Sequence, residues 1–272
     1  STAATQSVVN AIAYRNDSET PSTGSTRDFT LTQIVDDGGT ANGGADTGTP
    51  TGGTSSVTVQ GVNDAPVLSN LDATPSYTEG GTAVLLDGNV TVGDADLDAL
   101  NAGNGDYDGA ELTIARNGGA NTSDAFGFDT SGAPFTVSGN ELQAGGQRFA
   151  TFTDTGGTLT ITFDSNATAA TTALVNDVLQ RITYQNSNDD PAASVQLDWT
   201  FDDGGGQGTG GALTDSGSVT VSITRVNDEP TLTATGTDPT FTEGDAAPGA
   251  DLFSTVAAST VESGQTVTGL TL

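Results

Sequence analysis

The feature that most constrains this chain is that it repeats itself. Val62-Asn63-Asp64-Ala65-Pro66 returns as Val226-Asn227-Asp228-Glu229-Pro230, and Pro75-Ser76-Tyr77-Thr78-Glu79-Gly80 returns as Pro239-Thr240-Phe241-Thr242-Glu243-Gly244, both 164 positions on. Earlier in each copy, the run from Phe29 to Gly38 matches Val195 to Gly204, and Ser56 to Val59 matches Ser218 to Val221. The chain therefore reads as one whole repeat, residues 64–228, between the C-terminal part of a preceding repeat, 1–63, and the N-terminal part of a following one, 229–272. Each partial copy would expose a half-built core if it stood alone. That is the expectation for an excerpt from a longer tandem array, in which stability is shared between neighbours.

Within the whole copy the apolar period is two, the mark of strands with one buried face. Val195, Leu197, Trp199 and Phe201 alternate with polar residues, as do Leu159, Ile161 and Phe163, and Val219, Val221 and Ile223. Gly-rich and Asp-rich turns separate such runs at sandwich-like intervals. One stretch departs from the pattern: between Ala167 and Ile182, Leu174, Val175, Val178, Leu179 and Ile182 follow helical spacing after a polar start. Its counterpart in the first segment is Ala4, Val8, Val9 and Ile12. The expected fold class is all-β, tandem β-sandwich domains, each with one short helix.

Composition narrows function. The chain carries 35 Asp and Glu against 6 Arg and no Lys, a formal net charge of −29. Phosphate binding needs clustered cationic side chains, so nucleic acid and anionic membrane are not expected partners. Of the acids 28 are Asp, the residue of turns and of loops that hold hard cations. Cys, Met and His are absent, which removes disulfides, thiolate and imidazole chemistry and the usual zinc ligands. Lacking Lys as well, the domains cannot be stapled by Lys to Asn cross-links, which leaves bound metal as the source of rigidity. No apolar run approaches the roughly 18 residues of a membrane span.

The order Asn-Asp-x-Pro, then Tyr77 to Thr82, then Val90 to Asp96, a helix before Ile182 to Asn186, a Phe-Asp-Asp-Gly-Gly turn at 201–205 and a closing alternating strand resembles a cadherin-type repeat. More closely, it resembles the cadherin-like tandem repeats of giant bacterial surface adhesins of the RTX and biofilm type. The resemblance implies cadherin or immunoglobulin-like sandwiches in a rod, with Ca2+ held at the junctions. Carried over residue by residue, it implies that Asn63, Asp64, Asp94, Asp96 and Asp203 serve the upper junction, and that Glu79 meets Asn227 and Asp228 at the lower. Two departures stand out. The first Asp of the family's linker is replaced by Gly61 above and Arg225 below, and the third segment has a single acid between Ala257 and Glu262 where the second has Asp-Ala-Asp. The upper junction is therefore expected to bind calcium more tightly.

Other readings of the same residues remain in view. Aspartates in glycine-rich loops also serve as solvated turn residues, and an acidic surface also suits concentrated salt. Asp94 to Asp98 imitates the start of an EF-hand, but the sixth and twelfth positions are Ala99 and Gly105 rather than Gly and Glu. Asp46, Asp154 and Asp215 open Asp-Thr-Gly or Asp-Ser-Gly triplets like those of aspartic proteases, without the apolar flanks that bury a dyad. The alternation Thr158-Leu159-Thr160-Ile161-Thr162 offers a hydroxyl ladder to carbohydrate or ice, although Thr also simply suits the solvent face of a strand. Asn121 and Asn166 begin glycosylation sequons. The function expected is that of a non-enzymatic, calcium-rigidified extracellular stalk at the cell surface, its partners the adjacent repeats. An extracellular filament or sheath of neighbouring copies is the alternative, and repeats that themselves bind carbohydrate the second.

Overall fold

The computed structural model describes residues 1–206, 208–244 and 249–271. Element order in the first segment is α1 (Thr2–Asn10), β1 (Arg27–Thr30), β2 (Ile34–Val35), β3 (Thr47–Gly48) and β4 (Thr54–Val57). The central segment continues with β5 (Val67–Ser69), β6 (Ser76–Thr78), β7 (Val84–Leu85), β8 (Thr91–Gly93), α2 (Ala95–Gly103), β9 (Glu111–Arg116), β10 (Asp124–Phe128) and β11 (Thr136–Ser138). It closes with β12 (Glu141–Ala144), β13 (Gln147–Thr155), β14 (Thr158–Phe163), α3 (Thr172–Leu179), β15 (Ile182–Asn186), β16 (Ser194–Asp202) and β17 (Thr214–Thr224), and β18 (Thr231–Gly236) and β19 (Phe253–Ser259) follow. The protein is an all-β sandwich with, among the described residues, three short α-helices and a 3-10 turn at Ala41–Gly43. No described helix is long and apolar enough to cross a membrane.

One layer is an eight-stranded sheet in the order β11-β12-β13-β14-β9-β16-β17-β6, and facing it are β10-β15-β7 and the pair β5-β8. All ladders in these sheets are antiparallel except β17 with β6, where Ile223 lies opposite Tyr77. Alternation does what period two requires. Leu159, Ile161, Phe163, Leu197, Trp199, Phe201 and Val221 are fully buried, while their strand neighbours face outward. Among the described residues the hydrophobic core runs from Tyr77 to Ile223.

The flanking segments contain the same residue types at matching positions but leave them uncovered. Ile12 is 66% exposed where Ile182 is 0%, and Tyr14 is 38% exposed where Tyr184 is 0%. In the central segment Tyr184 is packed edge-on by Tyr77 at 6.0 Å between ring centroids; the counterparts, Tyr14 and Phe241, stand at opposite ends of the chain.

Two local expectations are corrected. The helix expected between Ala167 and Ile182 begins only at Thr172, because Thr171 caps it with its hydroxyl on the Leu174 amide. It also ends before Ile182, which opens β15 and is buried there as a strand residue. Secondly, the central segment has two helices rather than one. α2 starts where the Asp94 side chain accepts hydrogen bonds from the Asp96 and Leu97 amides, with Asp96 and Asp98 in the positively polarised first turn. It loses regular geometry from Leu100, since Asn101 and Ala102 adopt left-handed backbone angles.

Candidate metal sites at the two junctions

At the lower junction β6 delivers Glu79 to the end of the sandwich, the loop after β15 delivers Asp189, and the linker after β17 delivers Asp228. Carboxylate oxygens of these three residues lie within 4.8 Å of one another. One oxygen of Glu79 accepts the Val226 amide at 2.8 Å and the other is buried without a partner. The Asp228 amide donates to a carboxylate oxygen of Glu262, from the third segment. The second Glu262 oxygen and Asp228 Oδ2 are also buried and unpartnered, and Glu262 as a whole is 6% exposed. Burial and the neighbouring charges of Asp189 and Glu262 push the Asp228 carboxyl above its ordinary value.

At the upper junction the linker bonds to both sides of the central segment's end. Asn63 donates to Asp203 Oδ2 at 2.6 Å and to the Gly211 carbonyl at 3.0 Å, and the Asp64 amide donates to Asp96 Oδ2 at 2.8 Å. Asp94 is buried; its Oδ1 caps α2 and its Oδ2 has no partner. Desolvation raises the Asp94 carboxyl above its usual range against the pull of the Leu97 and Asp96 amides, and the charges of Asp203 and Asp96 add to the rise. Glu19, Asp64, Asp94 and Asp98 line one shallow cavity here.

The two junctions share one construction: the amide of the linker Asp, at 64 or 228, donates to an acid of the segment that follows, Asp96 or Glu262. Glu262 thus stands in for the Asp-Ala-Asp acid whose counterpart sequence matching does not find. Of the sequence-derived site residues, the structure gathers Asn63, Asp64, Asp94, Asp96 and Asp203 at one end of the central segment, and Glu79 with Asp228 at the other. It does not bring in Asn227, which is exposed and whose Oδ1 accepts from Gln265 Nε2 at 2.9 Å.

Sequence reasoning missed Asp189, Glu262 and Glu19. Extending the match between Ile12–Asn16 and Ile182–Asn186 by three residues places Glu19 opposite Asp189, a signal that was readable. Counting acids also favoured the upper junction, yet among the described residues the three-carboxylate cluster is at the lower. At the upper junction the acids are already engaged: Asp203 accepts the Gly205 and Leu213 amides as well as Asn63, and Asp98 accepts Tyr107, Thr172 and the Asp94 amide.

Compared with known proteins, the chain matches no family model and no curated sequence.

The remaining sequence motifs fall elsewhere. Asp154 accepts the Phe126 amide and Asp215 the Leu68 amide, both at 2.8 Å, so these carboxylates latch backbone between layers. The threonine ladder lies on the outer face, where Thr153, Thr160, Thr113, Thr200 and Ser216 form one row across five strands.

Hard oxygen donors of this kind suit Ca2+, which tolerates irregular geometry and six to eight ligands. Nitrogen and sulfur ligands are absent by composition. The donor set fits the ion on chemistry and on its unsatisfied oxygens: Glu79, Asp189, Asp228 and Glu262 would hold it below, and Asp94 with Asp64, Asp96 and Glu19 above.

Proposed function

We propose that this chain is a stretch of calcium-rigidified stalk from an extracellular, array-forming surface protein, similar to the cadherin-like repeats of bacterial adhesins. One observation carries the reading. Six buried side-chain atoms lack a hydrogen-bond partner among the described residues; five are carboxylate oxygens at the two junctions, and those of Glu79, Asp94, Asp228 and Glu262 have no cationic side chain beside them in an ion pair. The others are Trp199 Nε1 and Asp190 Oδ1, the latter 3.0 Å from Arg225 Nη1. An uncompensated buried carboxylate is costly, and a divalent cation removes the cost for several oxygens at once.

The acids of each site come from both sides of a junction. A bound ion therefore joins groups that otherwise repel, and so restricts the hinge. With dissociation constants of about 10⁻⁴ to 10⁻³ M, typical of extracellular modules, free calcium ten to a hundredfold higher adds roughly 1.4 to 2.7 kcal/mol per site. Export follows from the same reading, since only millimolar calcium fills such sites. The repeated sequence supports an array, whose neighbouring repeats are its first partners.

Isothermal titration of the chelated chain with calcium, repeated on Glu79→Gln and Asp94→Asn, tests this. Heat and a raised melting temperature in the parent, each reduced in both variants, are expected. A parent that binds no calcium at millimolar concentration refutes the reading and turns attention to a salt-adapted surface or a filament.

A further inference from the structure

The departures from the linker pattern acquire a purpose when the two junctions are laid over each other. Gly61 corresponds to Arg225, and Thr20 to Asp190. At the lower junction Arg225 Nε donates to the Pro191 carbonyl at 2.6 Å, and its Nη1 lies 3.0 Å from Asp190 Oδ1. Asp190 in turn accepts, through Oδ2, the backbone amide of Ser263 in the third segment at 3.2 Å. The chain Arg225, Asp190, Ser263 thus crosses the junction, and Gln265 to Asn227 at 2.9 Å is a second crossing bond. The upper junction has neither member of the ion pair. Its linker is held through Thr209, whose amide and hydroxyl both donate to the Gly61 carbonyl. Among the described residues no hydrogen bond joins residues 1–60 to residues 64–224.

We propose that Arg225 and Asp190 clamp the third segment onto the central one without metal, whereas the upper junction, with Gly61 and Thr20 at the same positions, lacks this clamp and depends on metal to fix the first segment. The guanidinium supplies fixed positive charge where the acidic ends meet, and planar donors in a fork, which an ammonium group would not. The half about the upper junction rests on the calcium reading above; the clamp does not. Successive hinges of one array then differ in how they respond to calcium, and this is set by a two-residue exchange.

The chain has no cysteine, so paired cysteines report on each junction separately. Spin labels on Ser55→Cys with Ser218→Cys span the upper junction, and on Ser218→Cys with Thr233→Cys the lower; all three positions are exposed. Electron–electron distance distributions are recorded with calcium and with chelator, in the parent, Arg225→Gly and Asp190→Thr backgrounds. Trp199 fluorescence checks that the central core is folded in each. In chelator the upper distribution is expected to broaden while the lower stays narrow. Either substitution should then broaden the lower one, raising its non-native distances about two- to fivefold, the range for a partly exposed ion pair. A parental lower junction that broadens in chelator as much as the upper overturns the proposal, as does a lower junction indifferent to both substitutions. If neither parental junction responds to chelator, the calcium reading fails, and the clamp stands or falls on whether the substitutions broaden the lower distribution.

Discussion

Asp94 has two oxygens with opposed consequences. Oδ1 caps α2 and stabilises it, while Oδ2 carries charge into a buried place with no donor. A carboxyl whose folded value is raised above the unfolded 3.8 contributes stability present at low pH and lost as pH rises through the folded value. In the chelated protein Asp94 and, raised for a similar reason, Asp228 therefore each contribute stability that grows as pH falls from neutral through the carboxylate range, against the opposite contribution of Asp129 and Asp190, whose carboxyls are lowered. Asp94→Asn keeps a cap acceptor and removes the charge. In chelator it should melt at or above the parent and show a flatter pH dependence, yet lose the upper site's calcium increment; thermal melts at pH 5 and pH 7 with and without calcium check all three. Asp124 is the contrasting case. It is buried, and accepts two bonds from Arg116 at 2.8 and 2.6 Å, one from Tyr184 at 2.6 Å and one from Asn186 at 2.7 Å. Asp124→Ala leaves the arginine unpaired beside a polar pair and should cost about 3–5 kcal/mol in denaturant unfolding, whatever the calcium concentration.

Elements are joined by turns whose glycines differ in what surrounds them. The β13–β14 turn is Gly156-Gly157, with φ of 65° and 82°. A Cβ on Gly156 meets nothing, whereas one on Gly157 would overlap the Asn121 carbonyl of the loop before β10. Gly156→Ala should cost about 1 kcal/mol, the penalty for left-handed backbone alone, and Gly157→Ala clearly more, as paired denaturant titrations would show. The sequence announced β14, β16 and β17 because their period is local: Leu159, Ile161 and Phe163 need only the strand itself to be recognised. It could not announce that β10, β15 and β7 form the facing sheet, because pairings such as Phe126 with Tyr184 and Tyr184 with Val84 join residues far apart in the chain. α2 was hidden by its own first turn, since an acid-rich Asp94-Ala95-Asp96-Leu97-Asp98 run reads as metal loop before it reads as a capped helix. The site was legible where residues recur in the linker, as at Asp64 and Asp228. Asp189 was legible only through its match to Glu19 in the preceding copy, and Glu262 was illegible, because it reaches the lower cluster from a loop whose approach depends on the tertiary fold.

At the scale of the molecule, net charge and buried charge make separable demands. A formal charge of −29 repels along the whole chain, but most of that repulsion passes through solvent and fades beyond a Debye length of about 8 Å at physiological ionic strength, or about 3 Å in molar salt. The unpartnered oxygens of Glu79, Asp94, Asp228 and Glu262 are enclosed, and mobile ions outside the surface do little for them. If the acids merely solvate a salt-adapted surface, sodium chloride alone should stiffen and stabilise the chelated chain as well as calcium does. If they hold metal at the junctions, molar sodium chloride will relieve general repulsion yet leave the upper hinge, which has no Arg225–Asp190 pair, loose, and millimolar calcium at low ionic strength will straighten it. Small-angle scattering across the four combinations of salt and calcium separates these. The expected result is a longer maximum dimension and a more rod-like profile in calcium at either salt concentration, with little change from salt alone. A dimension that follows sodium chloride and ignores calcium would place the acids in solvent and remove metal from the account of stiffness, leaving Arg225 and Asp190 as the charged contact that still ties one segment to the next.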